Sequence, residues 1–398
     1  MLTSFRPLSV RPTKREPVNL LFVDDSIPDP RIGAGAPRAL DFLQSLTAAG
    51  ATVTLFPTAQ DRVDASFVSR LPHGVSVVEA GVELNRFLKT CGTKFAGVIV
   101  SRPHNMALFR RAWAEPAAAI KGAAVIYDAE ALFAARKILF NQLFDSPLTA
   151  DEADRLVKEE VKLADGAHVV LAVNEQTAEA FRQVGHLDIR VLGHALSTRP
   201  SPRGFSSRDG FLFVGPTNGD QAPNSDAVAW FVDHVLPRIR EGLGREVSLK
   251  LAGAIKSQMV ADRGSKGITA LGALADLKEV YSQARVFVAP TRFASGLPFK
   301  VHEAAAHGVP IILTPLLADQ LGWSADQEVL IAESPEDFAE ACLRLHSDRE
   351  LWNRLRSRAL ARVSRDCSRR KFDRTVSELL LYCIGQFSRQ SRLAKSLR

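Results

Sequence analysis

The sequence predicts an α/β protein made of two doubly wound halves, and two observations carry that prediction. Short apolar runs such as VNLLFVD at 18–24 and FAGVIV at 95–100 alternate with stretches at helical spacing, the pattern of a parallel sheet covered by helices. The alternation also starts twice. Between the two series lies STRPSPRGFSSRDG at 197–210, where Pro, Ser, Gly and Arg crowd together without periodicity, as in a linker.

The elements follow in order. VNLLFVD reads as a buried strand ending in Asp24 and Asp25, and the Pro- and Gly-rich SIPDPRIGAGAP makes the loop after it. Leu40, Leu43 and Leu46 set a helix over 38–49, with Gly50 in the place of a C-cap glycine. ATVTLF at 51–56 is the second strand. Strands follow at 95–100, 123–127, 167–173 and 188–192, with helices after the third strand, over about 150–165 and over 175–184. The second half opens with FLFVG at 211–215. A helix at 227–236, strands at 247–252 and 286–289, a helix at 300–307 and a strand at 309–313 continue it. From Glu336 onward the pattern is helical. The expected division is 1–200, 201–375 and a helix with basic tail at 376–398 that returns to the first domain. Two such halves bind a ligand in the cleft between them, at the carboxyl ends of the strands.

Composition narrows the classes. The chain has 398 residues, 46% hydrophobic and 24% charged, as in ordinary globular proteins. No apolar run approaches 18 residues, and no secretory signal is read at the start. Net charge is +7, but residues 349–398 hold 14 basic and 4 acidic residues, while the rest hold 37 and 40. The body therefore has no basic excess for nucleic acid. The tail suits either a solvated helical face or contact with an anionic membrane surface. Cys91, Cys342, Cys367 and Cys383 form no metal-binding spacing, so free thiols in a reducing compartment are expected.

The most specific stretch is APTRFASGLPFKVHEAAAHGVPIILT at 289–314. A buried strand runs through a loop with Gly296 and Pro298 into a helix carrying Lys300 and Glu303. Spacing of three puts both side chains on one face near the helix N-terminus. Such a terminus suits a phosphate, Lys300 adds charge for a diphosphate, and Glu303 can accept from a vicinal diol such as ribose.

This stretch resembles the donor site of family 4 glycosyltransferases (glycosyl transferases group 1 type), which have the GT-B fold of two facing Rossmann-like domains. EAAAHGVPII is similar to the family's EAMAxGxPVV, with Glu303 on the ribose-binding glutamate. Arg292, Phe293, Gly296, Lys300, Val301 and Glu303 fit an Arg-Phe-x-x-Gly-x-x-x-Lys-Val-x-Glu variant. Ser295 stands where many members have another glutamate. FLFVGPTNGDQAPNSDAVAWFV is similar to the family's opening of the nucleotide domain, yet has no basic residue between Gly215 and Trp230. The resemblance implies donor contacts from Gly215, Arg292, Ser295, Gly296, Leu297, Lys300 and Glu303. It implies retaining transfer from a nucleotide-diphosphate sugar to a glycan, lipid-linked or other polysaccharide acceptor. No cofactor and no bound metal are implied, and the site of action is cytoplasmic or peripheral at the inner membrane face.

In the first half, Gly33 and Gly35 in IGAGAP would let backbone amides face the diphosphate; a plain tight turn is the alternative. Arg38 stands where a dinucleotide fingerprint needs a third glycine, which argues against a nicotinamide enzyme. His104 follows the FAGVIV strand, where the family has a histidine contacting the donor sugar; an ordinary loop histidine is the alternative. Asp128 and Glu130 are expected on the acceptor side of the cleft, with helix capping by Asp128 as the alternative. Two other functions share the fold: a non-catalytic nucleotide- or glycan-binding module and a sugar-nucleotide epimerase.

Overall fold

The computed structural model describes residues 18–29, 35–59, 65–91, 94–113 and 122–396. The first domain contains strands β1 (Val18–Asp24), β2 (Ala51–Pro57), β3 (Val75–Val77), β4 (Gly97–Ser101), β5 (Ala124–Asp128), β6 (Val169–Ala172) and β7 (Ile189–Val191). They form one sheet in the order β3-β2-β1-β4-β5-β6-β7, and every pairing is parallel. The second contains β8 (Asp209–Val214), β9 (Leu249–Ala252), β10 (Ile268–Gly272), β11 (Ala284–Ala289), β12 (Ile311–Leu313) and β13 (Leu330–Ile331), ordered β10-β9-β8-β11-β12-β13 and again parallel. In both sheets the order reverses beside the first strand, which opens a crevice at the carboxyl ends.

Burial explains why these runs became strands. The central strands β4, β5 and β6 are buried along their whole length, and a parallel strand covered on both faces needs a continuous apolar run. The edge strands β3 and β10 have partly exposed residues and weak patterns, and the sequence reading missed them along with β13. The helix expected at 227–236 is two, Pro223–Trp230 and Leu236–Leu243, joined through a π-helical turn at Phe231–Val235. The helix expected from 38 begins at Gly35.

Residues between β7 and β8 have no regular structure apart from a short turn at Phe205–Ser207, consistent with a linker. It is tied to the second domain by Arg199 N–H donating to Ala306 O at 2.8 Å. The chain then crosses back. Helix Arg369–Ser396 puts Phe372, Val376, Leu379 and Cys383 into one core with Leu20, Phe22 and Phe42 of the first domain. Gly97 on β4 lies directly beneath it, and a Cβ there would meet Cys383 Sγ. Arg369 pairs with Asp41, and Ser45 Oγ donates to Asp373 at 2.6 Å. Among the described residues no helix is long and apolar enough to cross a membrane, and all four cysteines are free.

Candidate active site

The two domains meet at the carboxyl ends of their strands. A Cβ on Gly296, in the loop after β11, would lie 3.0 Å from Ala131 Cβ in the loop after β5. Gly296 has φ +86, so both its conformation and this close approach require glycine. Asn174, after β6, donates to Gln320 O at 2.9 Å, while Gln320 Nε2 donates to Ala294 O at 3.1 Å. A cross-domain bridge thereby holds the loop that carries Ser295, Gly296 and Leu297.

On the second-domain side lies a cavity of about 610 Å³. Its walls include Gly215 at the end of β8, Gly253 after β9, the 273–278 loop, Lys300 and Glu303; Pro37 reaches it from the first domain. The helix Phe299–Ala306 starts there from Pro298, with no side-chain acceptor capping it. Lys300 Nζ donates to Asn224 Oδ1 at 2.5 Å and sits 4.3 Å from the centroid of Phe213. Among the described residues no carboxylate pairs with Lys300, and burial lowers its pKa to about 7. Three residues on, Glu303 Oε2 accepts from Tyr281 Oη at 2.9 Å. Burial raises the Glu303 pKa, and the Tyr281 hydroxyl opposes that shift. Tyr281 is itself fixed by stacking on His307, with centroids 4.7 Å apart.

Gly215 has φ +147 and a Cβ there would meet Asn224 Nδ2 at 2.7 Å, so glycine lets Asn224 reach Lys300. Arg292 lies outside this cavity. It pairs with Asp226 and stacks over Phe144, with Cζ 5.2 Å from the centroid, so its charge is already matched. Gly33 lies outside the described residues.

On the first-domain side, Asp25, Arg102, His104 and Glu130 form one network. His104 Nε2 faces Asp25 Oδ1 at 2.5 Å, and Asn105 donates to the same oxygen at 2.8 Å. Arg102 also pairs with Asp25, with Asp24 at 3.3 Å and with Glu130 at 2.6 Å. Burial opposes ionisation of Asp25, but Arg102, His104 and Asn105 outweigh it and hold the carboxyl below its ordinary range. Asp24 is deeper; burial lifts its pKa to about 7 against the pull of Arg102. Arg102 and Glu130 adopt φ of +76 and +52, rare for residues with a Cβ, at the ends of β4 and β5. Strain of that kind collects at functional sites. Gly35 belongs to this corner, since a Cβ there would collide with the Glu130 carboxylate and Arg102.

Asp128 corrects the expectation of an acceptor-side carboxylate. It is 1% exposed, and both its oxygens accept from Arg38, at 2.7 and 2.9 Å. Arg38 also donates to Leu192 O, so the pair joins β5, β7 and the first helix rather than facing the cleft. Sequence reading missed Asp25, Arg102, Asn224 and Tyr281. The Asp24-Asp25 step at a strand end was the only signal for any of them. Among the described residues no group of three His, Cys, Asp or Glu could hold a metal.

Two parallel-sheet domains facing across a cleft, with a final helix returning to the first, define a GT-B fold. Residues 208–348, which contain β8, the 289–307 segment, Lys300 and Glu303, match the model of the family described as glycosyl transferases group 1. Solved structures with the same architecture include HepE of Anabaena in complex with UDP and glucose (TM-score 0.66, 16% identity, covering 92% of this chain and 100% of that one). Sucrose-phosphate synthase of Thermosynechococcus elongatus is also similar (TM-score 0.69, 13% identity, 92% and 99% covered). So is a glycosyltransferase of Rickettsia africae (TM-score 0.66, 12% identity, 93% and 99% covered). A search of curated protein sequences gives no match.

Proposed function

We propose that the protein is a glycosyltransferase that moves a sugar from a nucleoside-diphosphate sugar to a hydroxyl acceptor bound across the cleft. One observation carries the reading: Lys300, with no carboxylate partner among the described residues, and Glu303 project from one turn of a helix with no side-chain cap into a 610 Å³ cavity. That helix lies within the region matching glycosyl transferases group 1. UDP or UDP-glucose in the HepE complexes is consistent with a uridine nucleotide.

Lys300 and the helix amides would stabilise the charge that develops on the departing diphosphate, with no bound metal. Glu303, already oriented by Tyr281, would accept from the ribose hydroxyls. His104 faces the cleft from the other side. With Nε2–H donating to the Asp25 carboxylate, Nδ1 would be the ring nitrogen left to accept. Family resemblance favours retention at the anomeric carbon. The Asp25–His104 pair favours a second reading, in which His104 takes the acceptor proton and the configuration inverts. The anomeric configuration of the first-formed product, followed by NMR, separates the two. Work at the inner membrane face on a polysaccharide acceptor is part of the proposal.

The direct test is a thermal-shift and turnover screen of nucleotide sugars with wild type and Lys300→Ala. The reading predicts that at least one donor raises Tm and is consumed, and that Lys300→Ala loses both effects. No shift and no turnover across uridine, guanosine, adenosine and thymidine donors would sink it. Binding without turnover would favour the binding module.

A further inference from the structure

A second cavity, about 960 Å³, adjoins the first, and Pro216, Asn218 and Asn224 line both. Its far wall is built largely from Phe133, Phe140, Leu156, Leu163 and Phe293. The helix Phe133–Phe144 (FAARKILFNQLF) supplies much of that wall and is unusual for a globular protein. It carries Phe133, Ile138, Leu139, Phe140, Leu143 and Phe144, yet only Ala134 is buried. Leu143 is 41% and Phe144 48% exposed.

The groove leads to the reacting groups. Phe133 stacks on His104, with centroids 5.9 Å apart and planes 28° apart. Phe293 sits in the loop that carries Gly296 and packs on Phe140 at 5.3 Å. At the donor end the lining is polar, with Asn218, Gln221 and Asn224; away from it aromatic and aliphatic side chains dominate, and the charged Arg136, Lys137 and Glu159 that share the lining are exposed to solvent. Glu160 does not oppose an apolar guest, because its carboxylate accepts from the backbone N–H groups of Phe133 and Ala134, at 2.8 and 2.6 Å.

We propose that this groove is the acceptor site and that it selects an acceptor with an apolar aglycone, an alkyl or aryl group attached to the hydroxyl-bearing head. The hydroxyl head lies among Asn218, Gln221 and Asn224, and the apolar part covers Phe133, Phe140 and Leu156. The proposal rests on the transferase reading for the word acceptor, but the binding it predicts does not need turnover.

The test is calorimetric titration of the full chain with methyl β-D-glucoside and with octyl β-D-glucoside below its micellar concentration, with and without UDP. The expected result is saturable octyl binding at least tenfold tighter than methyl, and a fivefold or greater loss of that advantage in Phe140→Ser and in Leu156→Asn. UDP affinity should stay within twofold in both variants, which also shows that they fold. Equal affinity for the two glucosides, or octyl binding untouched in both variants, overturns the proposal. If wild type binds none of UDP, GDP, ADP and dTDP, the transferase reading fails, while the titrations without nucleotide still decide the groove.

Discussion

Lys300 is a charge held in reserve. Burial sets its pKa at about 7, and a diphosphate alongside would raise it. Donor binding then takes up a proton. Affinity for UDP should be flat below about pH 7 and fall with rising pH up to the pKa of the bound state, by as much as tenfold per unit. Lys300→Arg, which stays charged, should abolish that slope in titrations from pH 6 to 9. Glu303 depends on Tyr281 for its orientation. Tyr281→Phe leaves a buried carboxylate without its donor and should cost about 1–3 kcal/mol of stability while weakening UDP binding. Urea unfolding and calorimetry read the two effects separately. Spacing made Lys300 and Glu303 legible because one helical turn joins them. Asn224 and Tyr281 were not legible, since they arrive from other elements 76 and 22 residues away.

At the scale of elements, the loops do what strands and helices cannot. Gly296 combines a positive φ with a tight cross-domain approach. Gly296→Ala should cost about 1–2 kcal/mol locally, seen as a fall in transfer rate with the fold retained by circular dichroism. Arg38 and Asp128 fasten the first helix to β5 and the end of β7. Asp128→Ala leaves the Arg38 guanidinium buried and unpaired and should destabilise by about 3–5 kcal/mol. Urea unfolding measures the loss, and a change below about 1 kcal/mol would show that the Arg38–Asp128 pair does not fasten these elements. The central strands were readable from apolar runs. The edge strands were not, because half-exposed, three-residue segments such as Val75–Val77 carry no pattern of their own.

For the whole molecule, the basic surplus of the last fifty residues has structural uses. Arg356 donates to Ser201 O, Arg362 pairs with Asp366 and Glu328, and Arg369 reaches Asp41 in the other domain. Truncating Leu379 to Ala should destabilise the first domain by about 2–5 kcal/mol, although that domain's strands lie nearly 200 or more residues earlier in the chain. The domains are also joined by His194 and His302, both buried, with their Nδ1 atoms 3.0 Å apart. Burial lowers the His302 pKa to about 4, against an ordinary 6.5. The unfolded chain therefore binds more protons between those values, and stability should fall as pH drops from 6.5 towards 4. His302→Gln should flatten that slope in thermal melts.

The sequence by itself determined the class of fold and the donor helix. Parallel strands need uninterrupted apolar runs, and Lys300 and Glu303 sit within one helical turn, so both signals are local. Only the tertiary structure decided which charges are available for chemistry. Arg292, Asp128 and Lys300 are alike as titratable residues in a sequence. Asp226 neutralises the first and Arg38 the second, while among the described residues Lys300 is met by the neutral Asn224 and the Phe213 ring and by no carboxylate. Those partners come from distant segments, and a Coulomb pairing depends on distance in space, not along the chain.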